Sequence, residues 1–321
     1  MIKVGLIGIG KWGKNHLRTL SEINCDLVGI SDSNEEKKLL AEEHNLDFYT
    51  DYNQLLNLVD AIVVTTPTDL HFNIVKDCIN AGKHVLVEKP IATTSQQSKI
   101  LVELAQSKNV VLSVGYLFRF NNAIIRLKEL LRKVGRIQYI TCRYIHSTKP
   151  PRKDSGAIFN LGIHPIDILN FISEKNPSKI FAKKSNLLSE KFEDSATITL
   201  DYDDFFATIE VSCTHPEKKR DIWVIAEKEK IYVDYFSQQI IRYPIVVDYE
   251  NVQRRDPIEE PIIANEPLKE ELEYFLNFVK KKQELNVDSK ENIGKENYYT
   301  TRACELSLES AISGKEMSLN E

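Results

Sequence analysis

Gly8, Gly10 and Gly13 stand in the spacing G-x-G-x-x-G, between an apolar run, Val4 to Ile7, and a helical stretch. In that setting the first glycine permits a tight turn, the second lets a pyrophosphate approach the backbone, and the third lets helix pack on strand. The free N–H groups of the helix start then face the phosphates. Small turns also use glycine for steric reasons alone, so the neighbours decide. A second apolar run, Leu27 to Ile30, leads to Asp32, the acid expected about 20 residues on to meet ribose hydroxyls. The turn, with Lys11 and Trp12 in it, therefore reads as a dinucleotide site. No arginine follows Asp32 at Ser33 or Asn34, which favours NAD over NADP.

Two further residues offer proton chemistry. Lys89 follows the apolar run His84 to Val87, beside Glu88 and before Pro90. An ammonium there can hydrogen-bond a reacting hydroxyl and favour the developing alkoxide. His164 is a candidate base, since imidazole is the side chain suited to accept a hydroxyl proton near neutral pH. A histidine by itself is more often structural, and His16, His44, His84, His146 and His215 read that way.

These residues need a scaffold that gathers strand ends. Asp60 to Thr65 reads as a buried strand broken by Thr66-Pro67, followed by a helix over Asp69–Ala81 that Gly82 stops. After His84 to Val87 come a helix over Ser95–Ser107 and a strand over Val110–Val114. Strands alternating with helices imply an α/β Rossmann-type, doubly wound parallel sheet with its ligand at the carboxyl ends. Asp32, Thr66, Pro67, Glu88, Lys89, Gly115 and Tyr116 all fall there.

After residue 120 the period changes. A connecting helix over Ile124–Leu131 precedes period-two runs at Tyr139–Ile145, Ser195–Leu200, Ala207–Cys213, Asp221–Ala226 and Ile231–Phe236, with a helical segment at Gly156–Ile172. Short polar turns between the later runs argue for a mainly antiparallel sheet. Residues 244–267, with four prolines, read as a surface excursion. Leu268, Leu272, Phe275, Leu276 and Val279 share one helical face, and a last helix runs over Tyr298–Ser313. The expected division is a dinucleotide-binding domain over 1–120 and an α+β domain over 121–321.

Composition narrows the partners. A net charge of −5 without a basic block gives no footprint for nucleic acid. No apolar run is long enough for a bilayer and no leader precedes the first strand, so a cytoplasmic protein without a membrane partner is expected. The five cysteines are far apart and form no C-x-x-C pair, which suits buried thiols in a reducing compartment. The acidic pairs Asp203-Asp204 and Glu259-Glu260 have no His or Cys beside them, so no metal is expected.

The full set of motifs is Gly8-x-Gly10-x-x-Gly13, Thr66-Pro67-x-x-x-x-His71, Ala81-Gly82-Lys83-His84-Val85-x-x-Glu88-Lys89-Pro90, Gly115-x-x-x-Arg119-Phe120-Asn121 and Gly156-x-x-x-Asn160-x-Gly162-x-His164-x-x-Asp167. This set resembles the glucose-fructose oxidoreductase/inositol dehydrogenase (Gfo/Idh/MocA) family, in order and spacing, over most of the chain. The resemblance implies NAD-dependent oxidation or reduction of one carbon of a sugar or cyclitol. It also implies a large open sheet in the second domain, used to form a homodimer or homotetramer.

By the same resemblance Lys89 is the family's catalytic lysine, His164 the base facing the nicotinamide, and His71 a residue near the cofactor. Inositol dehydrogenases carry Asp where this chain has Asn160, and an amide can only hydrogen-bond. The Asn-x-Gly-x-His arrangement and Arg119-Phe120-Asn121 are similar to the branch that oxidises the 3-hydroxyl of UDP-N-acetylglucosamine or its uronic acid. Asn160 is expected in the catalytic set with Lys89 and His164, and Asn160, Asp167, Arg119 and Arg152 are the substrate contacts expected, with Lys149 and Lys153 as further cations for a diphosphate. The rivals are an inositol or free-sugar dehydrogenase of the same family and a regulator that binds cofactor without turnover. Retention of both Lys89 and His164 argues against the regulator.

Overall fold

The computed structural model describes residues 1–148, 154–285 and 295–319. They form two units, each built on its own large sheet. The first contains β1 (Lys3–Ile7), α1 (Gly13–Glu22), β2 (Asp26–Ser31), α2 (Lys38–Glu43), β3 (Asp47–Tyr49), α3 (Tyr52–Leu56), β4 (Ala61–Val64), α4 (Thr68–Asn80), β5 (His84–Val87), α5 (Ser95–Ser107) and β6 (Leu112–Val114). All neighbouring strands are parallel, in the order β3-β2-β1-β4-β5-β6. Every residue of β4 and β5 is buried. Such strands are covered on both faces, which is why the sequence shows them as unbroken apolar runs. The order reverses between β1 and β4, and ligands of such sheets bind at the carboxyl ends beside that switch point.

The second unit contains α6 (Asn122–Leu131), β7 (Ile137–Ile145), a π-helical turn at Ile158–Gly162, α7 (Ile163–Ser173), β8 (Lys179–Ser185), β9 (Ser195–Asp201), β10 (Phe206–Ser212), β11 (Lys219–Ala226), β12 (Lys230–Asp234), β13 (Gln239–Tyr243), β14 (Ile245–Val247), β15 (Val252–Arg254) and β16 (Ile258–Glu259). After α8 (Pro267–Leu285) and α9 (Lys295–Ser313), β17 (Met317–Ser318) completes a nine-stranded sheet. Its order is β16-β13-β12-β11-β7-β10-β9-β8-β17, antiparallel throughout except between β7 and β10. Alternation puts Ile140, Cys142, Ile209, Ile222, Val224 and Val233 on the buried face, where α7 packs on β7 and β10 and α6 on β12. Helix α7 is buried almost all round.

Two expectations need correction. The division at residue 120 lies close to the observed break after Leu117, but the chain returns to the first unit from Leu268. Leu268, Leu272, Phe275, Leu276 and Val279 join Leu6, Leu17 and Ile30 in one core, because an amphipathic helix buries its stripe wherever matching surface exists. Residues 244–267 are also more ordered than a bare excursion. They hold the β14–β15 hairpin and β16 at the sheet edge, strands of two or three mostly exposed residues that leave no readable period.

Candidate functional site

In the first unit, Gly8 adopts a φ of +91°, and a Cβ on it would meet Thr66 at 2.8 Å, so the turn requires glycine. A Cβ on Gly13 would collide with the Gly8 carbonyl and Thr65, because α1 sits directly on the turn. Nothing lies within 4 Å of a Cβ built on Gly10, so the backbone there is open to a ligand. Asp32 closes the turn from the end of β2. Its Oδ2 accepts the Ile9 N–H at 2.7 Å and its Oδ1 the Asn34 N–H at 3.0 Å. Each oxygen keeps lone-pair capacity for a ribose hydroxyl. Thr66 Oγ1, beside Pro67 at the end of β4, is buried without a hydrogen-bond partner, as a polar atom completed by a ligand would be. The residues present fit a dinucleotide. Lys11 and Trp12 are exposed on the same turn.

The turn is tied to the end of β5 by a buried carboxylate. Trp12 Nε1 donates to Glu88 Oε1, His16 Nε2 lies 2.8 Å from the same oxygen, and Oε2 accepts the Lys89 N–H at 3.1 Å. Burial favours the neutral acid, but the hydrogen bond and charge of His16, with Lys89 and Trp12, outweigh it and hold the Glu88 carboxyl below its ordinary value. Gly115 leaves the room: a Cβ there would meet the carboxylate at 3.1 Å. His71 is buried with Nδ1 2.8 Å from the Pro90 carbonyl and Nε2 2.8 Å from that of Thr66, so one ring clamps two strand ends. Lys89 therefore stands in a framework fixed on both sides.

In the second unit, His164 lies in the first turn of α7 and is buried. Tyr144 of β7 stacks on its ring with centroids 5.5 Å apart at 26°, and Phe118 meets it edge-on at 5.1 Å. Phe118 also packs edge-on against Tyr235, at 5.0 Å. The π-helical turn before α7 carries Asn160, whose N–H bonds the Gly156 carbonyl at 2.9 Å. Glu193 anchors this turn by accepting the Ile158 N–H at 2.9 Å. A Cβ on Gly156 would occupy the place of that carboxylate, which explains the glycine opening the motif. Single π turns recur at functional sites because they shift side chains out of the α register.

Arg119 and Asp167, both expected to meet substrate, are joined to each other. Arg119 Nη2 lies 2.6 Å from Asp167 Oδ1 and Nε 3.0 Å from Oδ2, a bidentate pair with the carboxylate almost fully buried. Asn121 caps α6, accepting from Ala123 and Ile124 at 3.0 and 3.2 Å, and donates to the Tyr235 carbonyl at 3.0 Å. Lys149, Arg152 and Lys153 lie outside the described residues. Sequence reasoning missed Phe118, Tyr144, Tyr235 and Arg220, whose guanidinium lies 4.5 Å from the Tyr144 ring centroid. No spacing could reveal them, since strand register brings Arg220 opposite Tyr144.

His84 Nδ1 accepts the Val111 N–H at 2.9 Å, and burial, with the charge of Lys282, pushes its pKa down to about 4. The five cysteines are unbridged. Among the described residues no group of three His, Cys, Asp or Glu stands together as metal ligands, and no helix is long and apolar enough to cross a membrane.

Residues 2–116 match the family model described as oxidoreductase family, NAD-binding Rossmann fold, and residues 124–232 match the GFO/IDH/MocA C-terminal domain. A UDP-N-acetylglucosamine 3-dehydrogenase of Acidithiobacillus ferrooxidans is 29% identical over 182 residues, 56% of this chain and 57% of that protein. An inositol 2-dehydrogenase of Salmonella typhimurium is 26% identical over 205 residues, 59% of this chain and 60% of that protein. The alignments thus span about three fifths of these curated relatives. The solved structure of the Acidithiobacillus enzyme has the same fold, with a TM-score of 0.84 at 23% identity over 97% of this chain and 98% of that one. The order of the two matched regions and the glycine turn with Asp32 agree: this chain belongs to the Gfo/Idh/MocA family of NAD-binding oxidoreductases.

Proposed function

We propose that the protein is an NAD-dependent dehydrogenase that oxidises the 3-hydroxyl of a UDP-sugar, UDP-N-acetylglucosamine or a close relative, to the 3-keto sugar. The observation that carries this reading is the second-unit cluster, where an amide, Asn160, sits on a π turn just before the buried, ring-stacked His164. The family's cyclitol oxidisers carry a carboxylate at that place. Bound NAD supplies the hydride acceptor, held by the Gly8–Gly13 turn and Asp32. His164 takes the hydroxyl proton, and its stacking on Tyr144 fixes the direction from which it does so. Lys89 donates a hydrogen bond to the alkoxide oxygen, with its backbone fixed by Glu88. Asn160 orients the sugar through hydrogen bonds, and the Arg119–Asp167 pair steadies the turn of α7 that carries His164.

Absorbance of reduced cofactor, followed with UDP-sugars, free sugars and inositols, tests the reading. Turnover is expected with a UDP-sugar and at least tenfold better with NAD than with NADP, because Asp32 repels a 2′-phosphate. Faster turnover of an inositol favours the second reading, which the Salmonella relative supports. Reduction with no sugar at all contradicts the dehydrogenase and leaves the regulator.

Assembly and location belong to the same proposal. On the sheet face away from α6 and α7, Tyr139 stacks with Phe206 at 5.6 Å and Trp223 packs tilted against Tyr232 at 4.9 Å. Aromatic surface of this kind suits a second copy of the chain. A homodimer or homotetramer by light scattering is the expected result, and the five free thiols suit the cytoplasm.

A further inference from the structure

Two adjacent register pairs in the second sheet treat their arginines differently. Arg143 lies opposite Asp221, and Tyr144 opposite Arg220. Successive residues of a strand point to opposite faces. On one face Arg143 is neutralised by Asp221, Nη2 to Oδ2 at 2.6 Å, with that carboxylate almost fully buried. On the other, Arg220 has an aromatic ring where Arg143 has an acid. Arg119, Arg126 and Arg242 are likewise held by carboxylates. Among the described residues Arg220 has no carboxylate partner, and its Nε is buried without a hydrogen bond.

Arg220 is one ring away from the proposed chemistry, since the Tyr144 ring against which it lies is the one stacked on His164. On its outer side stands Phe236, 58% exposed, with the Arg220 guanidinium 5.2 Å and Lys218 Nζ 4.1 Å from its ring centroid. The turn bearing Phe236 is fixed by Asp234, whose Oδ1 accepts the Phe236 and Ser237 N–H groups at 2.9 and 3.1 Å. Cation–π packing uses only the flat face of a guanidinium. Beyond the hydrogen bond Arg220 makes to the Tyr144 side chain, this packing leaves edge donors that can meet phosphate oxygens.

We propose that Arg220, with Lys218 beside it, forms the phosphate subsite for a phosphorylated sugar whose reacting carbon is served by His164. Two cations around one ring match the multiple charge of a phosphate better than a single carboxylate. The subsite rests on the proposed sugar-dehydrogenase reading, and it replaces Arg119, which Asp167 already neutralises, as the anchoring cation. The phosphate is carried by a nucleoside diphosphate or by a hexose phosphate.

Calorimetric titration of the full-length, NAD-loaded chain with UDP and with glucose 6-phosphate reads this subsite without turnover. At least one should bind, and Arg220→Gln should weaken it by about 10-fold to 100-fold, the worth of a charge-assisted hydrogen bond. Arg220→Lys should lose clearly less, because it keeps the charge. Binding of UDP identifies a nucleotide sugar, and binding of glucose 6-phosphate alone a sugar phosphate. Absence of binding by both, an unchanged affinity in Arg220→Gln, or equal losses in the Gln and Lys variants overturns the subsite. Lys218→Gln, on an exposed side chain, decides the matter if Arg220→Gln does not fold. A weakened ligand supports the subsite and an unchanged one overturns it. Sugar turnover that survives while these affinities stay unchanged sinks the subsite alone. Phosphate binding lost in Arg220→Gln, without turnover of any sugar by the parent, sinks the dehydrogenase alone.

Discussion

The two units hold their reactive side chains by different physics. In the first, Lys89 is framed by a buried, ionised carboxylate and an imidazole that clamps two carbonyls, a polar framework at the ends of parallel strands. In the second, aromatic rings pack against His164, and the ion pair Arg119–Asp167 lies one helical turn along. A polar framework is intolerant of losing one partner, because the survivors stay buried and unpaired. An aromatic framework fails gradually, since each ring contributes only about 0.5–1.5 kcal/mol beyond its area.

The sharpest way to break this comparison is at the reactive groups. Lys89→Met should lower kcat by about 100-fold to 10,000-fold, with NAD affinity by fluorescence titration nearly intact. A variant that instead loses cofactor would make Lys89 a binding residue. Next in size, Glu88→Ala should cost on the order of 3 kcal/mol in denaturant unfolding, as His16 and Trp12 lose their shared acceptor. A loss no larger than at an exposed site would remove the polar-framework argument. Asp167→Asn should lower kcat by roughly tenfold with a smaller change in KM, because it releases the turn that holds His164. A raised KM at intact kcat would mean that Asp167 meets the sugar directly.

The smallest effect is one of acidity. The native pKa of His84 lies at about 4, below the ordinary 6.5, so between these values the unfolded chain binds the extra proton. Stability should therefore be full above pH 6.5 and decline as the pH falls toward 4. Glu88 adds in the same direction only below its ordinary value of 4.5, where acid removes what its lowered carboxyl contributes. The melting temperature should drop by roughly 2–4 °C between pH 7 and pH 5, and His84→Gln should flatten that drop. Constant melting over the range contradicts it.

The same contrast explains what was legible in the sequence. The first unit's site lies at strand ends that punctuate the chain: Gly8, Thr66-Pro67 and Glu88-Lys89-Pro90 each follow an apolar run, so local pattern locates them. The His164 motif was legible too, and Glu193 shows why its Gly156 is glycine. Tyr144, Arg220 and Tyr235 were not, because Tyr144 meets His164, Arg220 meets Tyr144 and Tyr235 meets Phe118 only once the sheet is assembled. Strand β8 was hidden by Lys179 and Lys183 on its outer positions and by Lys184 in register with its inward ones. The return of α8 to the first core was readable as an amphipathic helix but not as a destination, since its stripe fits any apolar surface.

The central claim is that His164 handles the proton of a sugar hydroxyl while NAD is held elsewhere. Single-turnover reduction of NAD, with enzyme in excess over UDP-N-acetylglucosamine, tests it in the parent and in His164→Asn. The expected result is a burst of reduced cofactor in the parent and a rate at least about 100-fold lower in the variant, with unchanged NAD affinity. A variant that reduces NAD at the parent's rate would contradict the claim.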